Sequence, residues 1–318
     1  MTERTTSRVH RLLCGTDDTR LRASLRILIA LVVTFTGALW GSVLVTEVPL
    51  SPLYEPLFGH LLALVAVLVA MVVLSRYVDH RPLSAYGFDL SLRWGLDVIA
   101  GLVVGIGLVG LAFVLNDQRG VVTVVGELSS GASSSFLFGV GVAVVGWLFV
   151  GLWEETIFRG LFLKNAAEGL ASRGLPPLAT TFGALLSSSL VYGFLHGPLG
   201  SNPDEVSLLY SLVMTSVMGG LFGLAYVLSG ELALPVGLHM GINFAEHTLF
   251  FGPPDGVLPA VLRVEHAVTG ERIQFQSIDP EVILPVFLVG YATIVVWAYL
   301  WNGSDAFDVS VDRPEQPS

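Results

Sequence analysis

Along this chain, apolar runs of about twenty residues alternate with short stretches rich in Pro, Gly and charge. Eight runs stand out, at 26–47, 57–76, 94–115, 136–163, 178–197, 206–228, 232–250 and 281–301. A helix of about twenty residues crosses the roughly 30 Å hydrocarbon core of a bilayer. In lipid a helix also satisfies its own backbone hydrogen bonds, which an open strand cannot do. The stretches between the runs include "EVPLSPLYEP", "RYVDHRPLSAYGFDLSLR", "HGPLGSNPDE" and "FGPPDG", all rich in helix-breaking or solvated residues. The short gap "LSGELALP" at 228–235 predicts a tight turn between the sixth and seventh runs. The pattern therefore predicts an all-α, polytopic transmembrane helix bundle of about eight spans, with no internal repeat. It divides into a polar cytoplasmic N-terminal segment at 1–25, one transmembrane domain at 26–302, and a disordered polar tail at 303–318.

Composition agrees with that pattern. The chain is 53% hydrophobic and 13% charged, with mean hydropathy +0.72, against about a quarter charged in a soluble domain. The lone cysteine, Cys14, excludes intramolecular disulfides and a Cys-based metal site. The first 26 residues carry six arginines, and the run after them is long enough to span rather than to be removed as a signal peptide. Lys164 is the only lysine, and net charge is −10. That bias suits either a high-salt cytoplasm or a particular genomic base composition. With an inside N-terminus, twelve Arg and Lys residues fall inside and only Arg119, Arg263 and Arg272 outside. This predicts cytoplasmic N- and C-termini; the composition gives no eukaryotic hint, so the membrane expected is a prokaryotic cell membrane. The bilayer is the evident partner, and no nucleic-acid partner is expected.

Candidate chemistry comes from charges inside the runs. "GLWEETIFRG" places Glu154, Glu155 and Arg159 within the fourth run. Each ionisable group near a span centre costs about 2.5–3.5 kcal/mol on insertion scales. Three within six residues require partners or a water-filled cavity. Glu155 and Arg159 are four apart with the acid N-terminal, the favourable ion-pair order. Glu154 lies about 100° around the helix and is left available for chemistry. In the fifth run Tyr192 and His196 share a face, and in the seventh His239 and Asn243 do. Together these supply a carboxylate base, two imidazoles and an amide donor, a set sufficient for amide hydrolysis. Depth poses a difficulty: His196 falls near the outer end of the fifth run, Glu154 past the middle of a fourth run ending at 163. A purely structural Glu–Arg pair, with histidines that only pack, is the alternative reading.

The three motifs resemble those of the CPBP family, the CAAX protease and bacteriocin-processing (ABI) family of intramembrane glutamate-dependent endopeptidases. EExxxR stands intact as Glu154-Glu155-Thr156-Ile157-Phe158-Arg159, FxxxH as Tyr192-Gly193-Phe194-Leu195-His196 with Tyr for Phe, and HxxxN as His239 to Asn243. The resemblance covers about residues 80–250. It implies that Glu154 activates a water with His196 assisting, that Glu155 and Arg159 hold the geometry, and that His239 and Asn243 donate to the oxyanion. Tyr192 would form an aromatic wall against substrate, with a hydroxyl that needs a partner. The implied substrate is a membrane-anchored peptide or protein, prenylated at a CAAX sequence in eukaryotic members. The family's mechanism implies no metal or other cofactor.

Competing readings use the same residues. Glu and His could ligate zinc, but the chain has no HExxH. A rhomboid-type serine site lacks its glycines around Ser187–Ser189. A transporter could place Glu, Arg and His at mid-membrane, and a catalytically silent scaffold or immunity factor could keep the motifs. His60 and Asp97 read as interfacial, Glu246 and His247 as a solvated span end, and the tryptophans other than Trp153 as belt residues.

Overall fold

The computed structural model describes residues 13–14, 20–197, 199, 208–266 and 280–307. Eight helices occupy the eight apolar runs: α1 Ala23–Thr46, α2 Glu55–Leu74, α3 Leu92–Gln118, α4 Phe136–Glu155, α5 Pro177–His196, α6 Leu208–Ser229, α7 Ala233–Phe244 and α8 Pro280–Asn302. Among the described residues, seven of them are long and apolar enough to cross a membrane. The exception is α7, whose residues Ala233 to Ile242 are all buried. It is the central post of the bundle, shielded from lipid by its neighbours. The chain is thus a multi-pass membrane protein. Arg4, Arg8, Arg11, Arg272 and Arg313, which carry part of the charge asymmetry, lie outside the described residues, as does the tail from 308. Residues Gly303–Phe307 form a 3-10 turn.

Two helices run further than their apolar pattern. α4 continues as a π-helix over Thr156–Leu163 and returns to α geometry over Lys164–Ala171, making one 36-residue rod. α7 continues as a π-helix over Ala245–Phe250. Polar residues extend α4 because the far end of the rod is neutralised by partners. Glu168 receives Arg26 at 2.8 Å and Arg81 at 2.6 Å. Asn165 donates to Asp79 at 3.0 Å, and the Tyr86 hydroxyl donates to the same carboxylate at 2.5 Å. This network joins the start of α1, the end of α2, the 80–87 segment and the end of α4.

Close helix approach fixes α7 against α3. Gly101 and Gly105 on α3 face Gly237 and Gly241 on α7. A Cβ at Gly237 would meet the Val98 carbonyl oxygen at 2.0 Å, and one at Gly101 the Leu234 oxygen at 2.3 Å. Each helix therefore carries a small-xxx-small stripe that lets the two backbones touch. His239, two residues from each α7 glycine, is turned about 200° away and points to the opposite side. The turn into α7 is tight, as its sequence requires: Gly230 adopts φ +74°, and Leu232 N–H donates to the Gly87 carbonyl at 3.0 Å.

On the face opposite the start of α1 and the end of α8, β1 (Val122–Ser129) pairs antiparallel with β2 (Ala260–His266), with an irregularity between Val124 and Gly126. Arg263 organises the preceding turn, donating to Ser129 Oγ and the Gly256 carbonyl at 2.8 Å each and to Leu258 O at 2.9 Å. These strands sit in stretches read from sequence only as gaps. The β-branched run "VVTVV" was the available signal.

Candidate active site

The polar side chains of α4, α5 and α7 converge. Glu155 is fully buried and receives Arg159 Nη1–H at 3.2 Å and His239 Nδ1 at 2.7 Å, both on Oε1. Arg159 Nε lies 3.1 Å from Glu155 Oε2, a close charge contact that lacks hydrogen-bond alignment. Arg159 Nη2–H is donated to the Gly219 carbonyl at 2.7 Å, and the guanidinium lies 4.9 Å from the Tyr192 ring centroid and 5.3 Å from that of Phe222. Such a guanidinium satisfies a buried carboxylate and two aromatic faces together.

Glu154 is engaged differently. Its Oε2 lies 3.0 Å from His196 Nε2 and 3.7 Å from His239 Nε2. His196 Nδ1 is 3.0 Å from the Tyr192 carbonyl, so that nitrogen carries a hydrogen and donates it. One further proton must then lie between His196 Nε2 and Glu154, on either atom. His239 Nδ1 likewise donates to Glu155, which turns its Nε2 toward Glu154. The rings are held by stacking: Tyr192 on His196 at 4.0 Å, and Phe222 on His239 at 4.7 Å with 7° between planes. Side-chain exposure rises from 0% at Glu155 and Arg159 to 8% at Glu154 and 28% at His196, so the site opens toward the end of α5. Asn243, one turn past His239 on the same face, is half-buried, and no hydrogen-bond partner for its amide occurs among the described residues. The Tyr192 hydroxyl also has none there, so the partner expected for it is not found.

The continuous α4 rod resolves the difficulty of depth. Counted from the connection at 172–176, Glu154 lies seventeen residues up α4 and His196 nineteen residues up α5. At 1.5 Å per residue these are about 25 and 28 Å. A fourth span ending at 163 would have left them about 15 Å apart in height.

Two contributors lie on α6, where sequence reading placed no site residue: the Gly219 carbonyl and the Phe222 ring. Their only signal was the small-residue stretch "MGGLFG". Other residues differ from their sequence reading. Glu246 is buried rather than solvated, and His247 stacks on Trp147 at 4.9 Å. Asp97 is buried and accepts from Trp297 Nε1 at 3.2 Å. Among the described residues, no three His, Cys, Asp or Glu side chains group so as to hold a metal ion.

The fold and site define a polytopic membrane protein with a carboxylate–imidazole–guanidinium centre buried among its helices. Residues 134–245, from just before α4 to the end of the α-helical part of α7, match the family described as type II CAAX prenyl endopeptidase Rce1-like, a family of proteases. The match spans all three motifs and bears out the family resemblance they carry. No curated protein and no solved structure matches the chain.

Proposed function

We propose that the protein is an intramembrane endopeptidase that hydrolyses a peptide bond of a membrane-anchored substrate with a water activated by Glu154. The observation that supports this most is the unequal treatment of two adjacent carboxylates. Glu155 is consumed by Arg159 and His239, whereas among the described residues Glu154 meets only imidazole nitrogens, at the open end of the site. In the proposed reaction Glu154 takes a proton from water as the water oxygen bonds to the scissile carbonyl carbon. The carbonyl π pair moves to oxygen, where the Asn243 amide donates to it together with His239 Nε2–H, the ring acting as an imidazolium whose Nδ1–H stays on Glu155. Collapse of the tetrahedral intermediate breaks the C–N bond, and the amine leaves with the proton that Glu154 accepted. His196 holds Glu154 in line, and Tyr192 walls the substrate side. The chain is read as lying in a prokaryotic cell membrane with cytoplasmic termini.

The test is purified protein in liposomes with a farnesylated CAAX peptide carrying a fluorescent reporter. Wild type should cleave with and without EDTA, and Glu154→Gln should lose at least about a hundredfold, the lower end of general-base contributions. Equal cleavage by the variant would remove Glu154 from the chemistry. No cleavage by wild type would move the substrate away from prenylated CAAX sequences and favour a silent scaffold.

A further inference from the structure

The Tyr192 ring is clamped in place. His196 stacks on it at 4.0 Å and 17°, Phe158 crosses it at 77° with 5.1 Å between centroids, and the Arg159 guanidinium lies over it at 4.9 Å. A glycine on α6 makes room for the ring, since a Cβ at Gly219 would meet Tyr192 Cδ1 at 2.9 Å. The hydroxyl is therefore a fixed group, and it has no hydrogen-bond partner among the described residues. The residue is 1% exposed, and that small surface includes the hydroxyl oxygen. Three carboxylates set its level, because the charges of Glu154, Glu155 and Glu246 all reach it. Glu155 is bonded to His239, and Glu246 lies seven residues past His239, about 10 Å along α7 and on nearly the same face. A hydroxyl within reach of both lies beside the middle of that stretch, where Asn243 stands. The Asn243 amide is likewise without a partner among the described residues, so the two groups do not bond each other and a gap separates them. Both imidazole contacts to Glu154 fall on Oε2, which leaves Oε1 without a partner among the described residues as well. Two unpaired polar groups on facing helices thus stand beside an unpaired carboxylate oxygen. An acceptor atom between the two groups could receive a hydrogen bond from each.

We propose that the Tyr192 hydroxyl is a further oxyanion donor, closing on the scissile carbonyl oxygen from α5 while Asn243 closes on it from α7. The proposal rests on the peptidase reading of the site, and adds chemistry to a residue that the reading uses only as a wall. A phenol titrates near 10, so at neutral pH Oη carries its hydrogen and donates it. As the water oxygen bonds to the carbonyl carbon and the π pair moves to oxygen, the Oη–H···O bond strengthens. The phenol keeps its proton throughout, and the bond relaxes when the pair returns and the C–N bond breaks. Because the ring is already clamped, nothing has to reorganise at that moment, which is what makes a donor effective in a buried site. Phenylalanine at this position would keep the ring contacts and lose the donor, so the hydroxyl is where this chain departs from FxxxH in chemistry as well as in sequence.

The test compares full-length wild type and Tyr192→Phe in liposomes, with the farnesylated reporter peptide and with the same peptide carrying a thioamide at the scissile bond. Sulfur accepts hydrogen bonds more weakly than oxygen, so the thioamide weakens the acceptor as the variant removes the donor. With the oxygen peptide Tyr192→Phe should lower kcat about a hundredfold at unchanged KM, the lower end for loss of one oxyanion donor. With the scissile thioamide the two proteins should turn over at nearly equal rates, and a thioamide one residue away should restore the full difference. 4-Aminophenylalanine in place of Tyr192, which can still donate, should recover part of the rate, whereas 4-fluorophenylalanine, which cannot, should not. That pair separates donation from a change in packing or folding. The proposal is overturned by an unchanged kcat, by a rise in KM alone, by an equal loss with oxygen and thioamide peptides, or by full rescue with the fluorinated ring. Each of those leaves the peptidase reading intact, because wild type still cleaves. A wild type that cleaves no such peptide would take this proposal down together with that reading.

Discussion

Replacing Arg159 by Met keeps the length and apolar stem of the side chain and removes its guanidinium from a position that is 0% exposed. The Glu155 carboxylate then loses its 3.2 Å hydrogen bond and 3.1 Å charge contact, and the Gly219 carbonyl loses its 2.7 Å donor. Both charged residues are 0% exposed, so water cannot take over. Breaking a buried pair by removing one partner costs about 3–5 kcal/mol, chiefly because the remaining charge is stranded. Glu155→Gln removes that charge while its amide oxygen still accepts from His239 Nδ1–H. In the double variant the cost should fall to about 1–2 kcal/mol, leaving the uncapped Gly219 carbonyl as the main loss. The four proteins form a double-mutant cycle, measured by reversible unfolding in mixed detergent micelles with tryptophan fluorescence as the signal. Glu155→Gln alone strands the guanidinium in turn, so the coupling should be at least about 2–3 kcal/mol, the upper part of the range for residues in contact. Coupling below about 0.5 kcal/mol, the level of independent sites, would show that the pair is not the buried brace described.

Gly237→Ala places a Cβ 2.0 Å from the Val98 carbonyl oxygen. It should force α3 from α7 and destabilise by about 1–3 kcal/mol, lowering the folded fraction on size-exclusion chromatography, whereas Gly107→Ala, which meets open space, should not. Tyr192→Phe keeps the ring stacked on His196 and removes a hydroxyl without a partner among the described residues, so stability should stay within about 0.5 kcal/mol. A drop beyond that in the same unfolding measurement would reveal a partner for the hydroxyl. Glu231, in the α6–α7 turn, has its carboxyl pushed up to about 7 by burial, then by the nearby Asp97 and Asp89 carboxylates. Because its folded pKa exceeds its unfolded one, its contribution to stability is fully present below about 4.5 and declines as pH rises through about 7. Melting temperatures of Glu231→Gln and wild type should therefore agree near pH 4.5 and separate in favour of the variant at pH 8. A constant difference across that range would remove Glu231 from the pH dependence.

The sequence by itself determined the membrane class, the eight helices within a few residues, and the identity of the polar groups in them. Apolar runs of span length and charges inside them are one-dimensional signals, set by the thickness of a bilayer and the cost of burying charge. The pairing of Glu155 with Arg159 was also legible, because a four-residue spacing is a property of a single helix. What lay beyond the sequence depended on neighbours. The extension of α4 to Ala171 rests on Arg26, Arg81 and Glu168 meeting from separate elements, and that extension brings Glu154 level with His196. The direction in which His239 faces is set by a glycine-lined crossing of α3 and α7, and its ring plane by Phe222 on α6. Even the sheathing of α7 cannot be read from its own residues, since an apolar helix is equally at home against lipid or against other helices. Only the tertiary structure decided between them, because burial is a relation between segments far apart in the chain.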